Sequence, residues 1–265
     1  MIHAAISLLR SLRERGRHRR SSRRRAGIGI ESLEQRLPLA VGTAVVTAPS
    51  VGLATASDTG VRGDGVTRVT RPTYVGTAPA RSTVVVYADN QLVGIATTNA
   101  RGVWTRVTPV DRPLTAGPHV ITAYSVNASG VWSGPSTLQM AVDNALPTGS
   151  LAYDADYRAS PAAPVTGRVT LTFSEPVMGV RLSNLWFTDP ASRLSLPLSD
   201  RRLTSYVGSI AFAQISDRSY AFTPSVKSFA PGLYRLTFLK TGVTDLAGNP
   251  LPAAITTSLS VADSG

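Results

Sequence analysis

Short stretches of this chain alternate between hydrophobic and polar side chains with a period of two. Val169, Leu171 and Phe173 alternate with threonines, and Tyr234, Leu236 and Phe238 alternate with Arg235 and Thr237. Such alternation predicts β-strands that bury one face and expose the other. A stretch of helical spacing occurs only near the start, at Ile2, Ala5, Ile6, Leu9 and Leu12.

Between residues 49 and 143 the pattern predicts seven strands, at 51–56, 73–77, 83–88, 92–98, 103–108, 119–125 and 137–142. Turn residues separate them: Asp89-Asn90-Gln91 predicts a tight turn, and prolines fall between strands, where a missing amide donor costs little. Seven short strands with turns every 8–12 residues are typical of an immunoglobulin-like sandwich. Residues 147–262 are again rich in strand patterns. We therefore predict an all-β fold of two tandem Ig-like sandwiches, 49–143 and 147–262.

The first 48 residues differ from the rest in charge. Residues 1–36 hold ten arginines and three glutamates, whereas residues 37–265 carry 17 basic and 13 acidic residues of the chain's total. Eight of the thirteen residues from Arg13 to Arg25 are arginine, and such a block repels itself and stays extended. We expect the leader as a whole to be disordered or helical. A basic region followed by an apolar stretch and small residues predicts an export leader over 1–48.

Three motifs carry resemblances to known families. The stretch from Leu33 to Ala40, with Leu33, Glu34, Arg36 and Leu37 at the matching positions, resembles the LEPR-XLL motif of large exported proteins of planctomycete-type bacteria. Gln35 stands where that motif has proline, and Pro38 where it has leucine. The resemblance implies an exported protein at the cell surface or outside the cell.

The two predicted sandwiches resemble two different types of bacterial Ig-like domain. Residues 57–60, 72–78, 102–104 and 114–122 are similar, in order, to one repeat of bacterial adhesins. Residues 169–177, 230–234 and 242–250 are similar to an Ig-like type found in S-layer and other surface proteins. These resemblances imply a structural or adhesive surface protein whose partners are other surface proteins or polysaccharide.

The composition offers little for catalysis. The chain has no cysteine, and only His119 of its three histidines lies beyond the leader. Hydrolytic and redox enzymes need a positioned base, nucleophile or metal, and no sequence motif for one is present. We therefore expect no enzymatic activity and no required cofactor. No stretch approaches the roughly 20 apolar residues of a membrane-spanning helix, so we expect no membrane span in the mature part.

One group of acidic residues suggests a structural calcium ion. In an alternating seven-strand sandwich, Asp58, Asp64, Asp89 and Asp143 fall at the pole that faces the second domain. Gathered carboxylates are the ligands that calcium prefers, and the adhesin resemblance implies calcium at domain junctions. Asp58, Asp64 and Asp143 are the expected ligands, with Asp89 as a further one. The alternative is that these aspartates cap turns and that nearby arginines neutralise them.

The sequence suggests two further candidate interactions, one with polysaccharide and one with phosphate groups. Trp132 lies in the loop between the last two strands of the first sandwich and is the candidate contact for a polysaccharide. The arginine block could bind nucleic acid or anionic lipid through phosphate charge. Because no aromatic residue stands between residues 1 and 48, there is no stacking platform for bases, and we expect no specific nucleic-acid recognition.

Overall fold

A computed structural model describes residues 45–153, 167–203, 208–225 and 232–261 of the chain. The leader over 1–48 and its export motif at Leu33, Glu34, Arg36 and Leu37 therefore lie almost wholly outside the described residues. Nearly everything described is β-strand or the turns between strands, with short 3₁₀ helices at Leu182–Asn184 and Arg201–Leu203. The predicted all-β fold of Ig-like sandwiches is confirmed.

The first sandwich consists of two facing sheets. Its eight strands are β1 (Gly52–Leu53), β2 (Val66–Thr67), β3 (Thr73–Thr77), β4 (Thr83–Ala88), β5 (Gln91–Thr97), β6 (Val103–Val107), β7 (Gly117–Val126) and β8 (Ser136–Val142). One sheet has the order β1-β3-β6 and the other β2-β8-β7-β4-β5. All pairs are antiparallel except β2 with β8.

The core of the first sandwich forms because alternate side chains of both sheets point inward. Val84, Val86 and Ala88 of β4 are buried, and Trp104 of β6 is only 1% exposed. The indole Nε1 of Trp104 donates a hydrogen bond to the Ser50 carbonyl at 3.2 Å, so the polar atom of this core side chain is satisfied. The predicted turn at Asp89 is present: Asp89 and Asn90 both have positive φ, as a two-residue hairpin turn of type I′ requires.

The second group of strands begins after the connection at residues 143–148. It comprises β9 (Gly149–Tyr153), β10 (Val169–Phe173), β11 (Val177–Met178), β12 (Leu185–Asp189), β13 (Leu194–Pro197), β14 (Ile210–Gln214), β15 (Ser219–Pro224), β16 (Gly232–Phe238), β17 (Thr244–Asp245) and β18 (Ile255–Val261). The sheets have the orders β14-β15-β10-β9 and β13-β12-β16-β18, with a short pair β11-β17 beside them.

A second hydrophobic cluster fills the space between these sheets. It is rich in aromatic rings, which pack edge-to-face or stacked: Phe173 meets Phe238 at 6.0 Å between centroids, and Phe187 stacks on Tyr234 at 5.2 Å. None of its residues belongs to the cluster of the first sandwich. The two cores are therefore separate, as the division into two sandwiches requires. The exact limits 49–143 and 147–262 remain a prediction.

Candidate functional site

Three carboxylates meet where the first sandwich ends and the second begins. Asp143 directly follows β8, Glu175 lies in the turn between β10 and β11, and Asp245 ends β17. One oxygen from each lies within 4.8 Å of the others, and this is the one such group of three found in the described parts of the chain. We call it the junction carboxylate group.

Backbone pairing places each member of this group. The amide of Asp143 donates to the Thr67 carbonyl at 2.8 Å, which fixes the end of β8 against β2. Asp245 pairs with Val177 in the β11-β17 ladder, and Glu175 stands two residues before Val177. The short β11-β17 pair thus brings two carboxylates from the second sandwich to the last strand of the first.

Asp245 is the buried member and is held by one neighbour. Its side chain is 1% exposed, and its two oxygens accept hydrogen bonds from the backbone amide and the side-chain Nδ2 of Asn249, both at 2.8 Å. The same Nδ2 donates to the carbonyl of Asp143 at 2.8 Å. Asn249 therefore links the buried carboxylate to the first sandwich.

The group concentrates negative charge. Burial raises the pKa of Glu175 above its usual value, and the neighbouring charges of Asp245 and Asp143 raise it further, while Arg218 opposes them. Carboxylates this close destabilise one another unless one is protonated or a cation is shared. Oxygen ligands of this kind suit a hard cation such as calcium.

Of the predicted calcium ligands, the structure places Asp143 in this group and the other three elsewhere. Asp58 accepts a hydrogen bond from the Gly63 amide at 2.9 Å, and Asp64 accepts one from the Val66 amide at 2.8 Å. Both side chains therefore stabilise turns of the backbone. Oδ1 of Asp58 is buried without a hydrogen-bond partner among the described residues.

Asp89 is engaged with a histidine. Its Oδ2 lies 2.6 Å from Nδ1 of His119, and its Oδ1 accepts the Val120 amide at 2.9 Å. The other ring nitrogen of His119 lies 2.8 Å from the Thr115 carbonyl, which can only accept. Both ring nitrogens thus face acceptors, and the doubly protonated ring satisfies both. Burial by itself lowers the pKa of His119, but the bonds to Asp89 and Thr115 outweigh it, so the pKa is raised above 6.5.

This pair borders a small open cavity of about 240 Å³. Its wall includes Thr108, Arg112 and Leu114 beside the pair. Both ring nitrogens of His119 lie within hydrogen-bond distance of protein atoms, of Asp89 and Thr115, at the edge of this cavity.

Trp132, the predicted polysaccharide contact, belongs to an aromatic cluster on the outer face of the five-stranded sheet. Its ring meets Tyr124 edge-on at 5.7 Å, and Tyr124 meets Tyr87 edge-on at 6.1 Å. All three side chains are half-buried. The outward position follows from the alternation of β4, where Val84 and Val86 point into the core and Tyr87 does not.

The first sandwich matches a known family of protein domains. Residues 45–144 match the family model of the bacterial Ig-like domain. The match encloses all eight strands of the first sandwich and stops at the connection to the second. A bacterial Ig-like domain is thereby supported for this part of the chain. No curated protein matches the chain.

Solved structures resemble the chain only distantly. The fibronectin(III)-like modules of Clostridium thermocellum CbhA have 12% identity and a TM-score of 0.35, over 80% of this chain and 94% of theirs. A Ca²⁺-stabilised adhesin with which an Antarctic bacterium binds ice has 15% identity and a TM-score of 0.36, over 82% of this chain and 50% of that one. A tetra-tandem repeat of a large adhesion protein has 18% identity and a TM-score of 0.28, over 80% and 49%. The chain thus spans about half the length of these two adhesin structures, and similarity at this level assigns it no function.

Proposed function

We propose that this protein is an exported, non-enzymatic surface protein in which two Ig-like sandwiches serve a structural or adhesive role. The observation that carries the proposal is the family match over the whole first sandwich, followed along the chain by a second sandwich with its own core. Bacterial Ig-like domains present rigid faces and loops, and any specific function depends on the residues added to them.

The chemistry of the described residues supports a non-enzymatic role. His119 is the one histidine among them, and both of its ring nitrogens are engaged. The chain has no cysteine that could act as a nucleophile. The three junction carboxylates gather oxygen atoms of the kind that bind a hard cation.

Export is supported by the sequence of the leader. The arginine block and the LEPR-XLL-like stretch at Leu33, Glu34, Arg36 and Leu37 fit a segment that directs the chain out of the cytoplasm. Among the described residues, none forms a helix long and apolar enough to cross a membrane. We place the mature protein at the cell surface or in the extracellular matrix.

N-terminal sequencing of the protein isolated from its native host tests the export proposal. We expect the mature chain to begin after Arg25, because an export leader is removed on maturation. A mature protein that still carries residues 13–25 would contradict this. It would instead favour the alternative in which the arginine block binds nucleic acid or anionic lipid through phosphate charge.

Binding of a polysaccharide is the second candidate function, and the aromatic cluster of Tyr87, Tyr124 and Trp132 favours it. Half-exposed aromatic rings give a sugar ring a flat apolar surface at low entropic cost. A glycan array with the full chain tests this, with Trp132→Ala as the variant and Trp186→Ala, in the second sandwich, as the matched control. Saturable binding that only Trp132→Ala abolishes would support the function; an array without binding would exclude it for the glycans tested.

Calcium at the junction remains a prediction. The junction carboxylate group replaces the ligand set expected from the sequence: Asp143 stays, and Glu175 and Asp245 take the places proposed for Asp58, Asp64 and Asp89. A cation there would relieve the repulsion that raises the pKa of Glu175.

A further inference from the structure

Two loops from different sandwiches touch through their backbones. The loop between β1 and β2 of the first sandwich contributes residues 59–61, and the loop after β17 of the second contributes residues 246–249. We call the contact between these two loops, together with the hydrogen bond from Asn249 to Asp143, the junction contact. It lies beside the junction carboxylate group and consists of protein atoms alone.

Three hydrogen bonds cross the junction contact, and each fixes a different point. The hydroxyl of Thr59 donates to the Ala247 carbonyl at 2.6 Å, and the amide of Val61 donates to the Leu246 carbonyl at 2.9 Å. On the other side, Nδ2 of Asn249 donates to the Asp143 carbonyl at 2.8 Å. Bonds in both directions, at three separated points, restrict rotation as well as separation of the sandwiches.

Glycine makes this approach possible on both sides. A Cβ on Gly60 would lie 2.0 Å from the Leu246 carbonyl oxygen, and one on Gly248 would lie 2.9 Å from the Gly60 amide nitrogen. Both residues also have positive φ, +67° and +89°. The opposing atoms are backbone, which cannot move aside as a flexible side chain could. Any side chain at Gly60 therefore forces the two loops apart.

Each loop also has hydrogen bonds within its own sandwich. The Thr59 hydroxyl accepts the Arg68 amide at 3.0 Å, which orients it toward the second sandwich. Asp245 holds Asn249 through two bonds of 2.8 Å, as described above. Ala247 is only 1% exposed. These bonds within each sandwich limit the conformational freedom that the loops lose when they dock.

We propose that the junction contact makes the two sandwiches one rigid unit of fixed length and angle, which unfolds cooperatively. Domains joined in series ordinarily move relative to each other unless their interface is large and hydrophobic. Here, close backbone packing at paired glycines takes the place of a large apolar interface. The inference concerns the mechanics of the pair and holds whether or not the chain is exported.

Distance measurement between spin labels on the full chain tests the proposal. The chain has no cysteine, so Thr105→Cys in β6 and Ser258→Cys in β18, both exposed, place one label on each sandwich. We expect a single narrow distance distribution in this labelled parent. Gly60→Ala should abolish the narrow distribution, because its Cβ cannot fit against the Leu246 carbonyl.

The matched control is Gly63→Ala in the same loop. Gly63 has a positive φ of +79°, and nothing lies within 4 Å of a Cβ built there. This control carries the same left-handed backbone strain without touching the second sandwich, so the narrow distribution should persist. A broad distribution in the parent, or equal broadening by Gly60→Ala and Gly63→Ala, would overturn the proposal.

A second pair of variants approaches the contact from the other side. Gly248→Ala should broaden the distribution, whereas Gly242→Ala, with φ of +75° and open space around its Cβ, should not. Calorimetry of the same proteins adds an independent readout: we expect one unfolding transition in the parent and both controls, and two after Gly60→Ala or Gly248→Ala. Two transitions in the parent would also overturn the proposal.

Discussion

Replacing Asp89 by asparagine should make the stability of the first sandwich less dependent on pH. The variant keeps the shape of the side chain and the bond from the Val120 amide, and asparagine accepts the positive φ of 48° at this position. It replaces the Oδ2 acceptor, which lies 2.6 Å from Nδ1 of His119, by an amide nitrogen that can only donate. The substitution therefore removes both the charge and the hydrogen bond of this pair.

The size of the effect follows from the exposure of the two partners. His119 is 7% exposed and Asp89 48% exposed. A hydrogen bond between charged groups contributes about 1.5–3 kcal/mol to stability, and solvent screening at a half-exposed carboxylate reduces this to about 1 kcal/mol. For a cooperative unit of the size of the two sandwiches, that corresponds to a shift of about 2–4 °C in Tm.

The direction with pH follows from the two pKa shifts. The pKa of His119 is raised above 6.5, so its contribution is complete below 6.5 and is lost as the pH rises through the folded-state value. Burial raises the pKa of Asp89, but the bonds from His119 and Val120 outweigh it and the pKa lies below 3.8. The contribution of Asp89 is therefore complete above 3.8 and is lost as the pH falls through its folded-state value.

Urea unfolding at pH 6 and pH 9 measures this directly. We expect the parent to exceed Asp89→Asn by about 1 kcal/mol at pH 6, and the difference to shrink toward zero at pH 9. Asp111→Asn is the matched control, because Asp111 is 71% exposed and pairs only with Arg112 at 3.5 Å. An equal difference at both pH values, or the same pH dependence in Asp111→Asn, would refute the assignment of a charged His119.

Two further predictions concern the second sandwich and the junction. Phe238→Ala should lower the free energy of unfolding by about 3–5 kcal/mol, because Phe238 is fully buried. Phe212→Ala should lower it by only about 1 kcal/mol, because that ring is 39% exposed. Urea unfolding measures both differences. Millimolar calcium should raise the Tm of the full chain, and Asp245→Asn should abolish the rise while Asp64→Asn leaves it intact. Loss of the calcium effect in Asp64→Asn but not in Asp245→Asn would instead support the ligands expected from the sequence, and a flat calcium titration would exclude the site.

Strands that bury one face were predictable because their alternation is local. β4 and the turn at Asp89 appear where the pattern places them. β2, Val66–Thr67, was missed: it is two residues long and exists only through its parallel pairing with β8, some 75 residues later. A strand of this length carries no periodicity of its own.

The junction could be predicted only in part, since its groups come from distant parts of the chain. Asp143 was expected near the second domain, and it is there. The sequence contained a signal for the other two residues. Asp245 lies in the 242–250 stretch that carries the second Ig-like resemblance, and Glu175 is the one glutamate beyond the leader. The sequence does not show that these carboxylates lie close together. Their proximity arises from the β11-β17 ladder and from the hydrogen bond between Asn249 and Asp143, which are 106 residues apart in the chain.

The pairing of Asp89 with His119 could not be predicted from the sequence. From sequence it was one more carboxylate at a crowded pole, but its partner His119 lies 30 residues away on the neighbouring strand. The β4-β7 register brings the end of β4 beside the start of β7 and sets the two side chains against each other. Recognising that pair needs the register, which a single sequence does not specify.

Protease treatment of intact native cells tests whether the two sandwiches are displayed outside the cell. If they are, added protease releases peptides from residues 45–261 while a cytosolic marker protein stays intact. If those peptides appear only after lysis, together with peptides of the marker, the protein is not displayed at the surface and the proposed function is wrong.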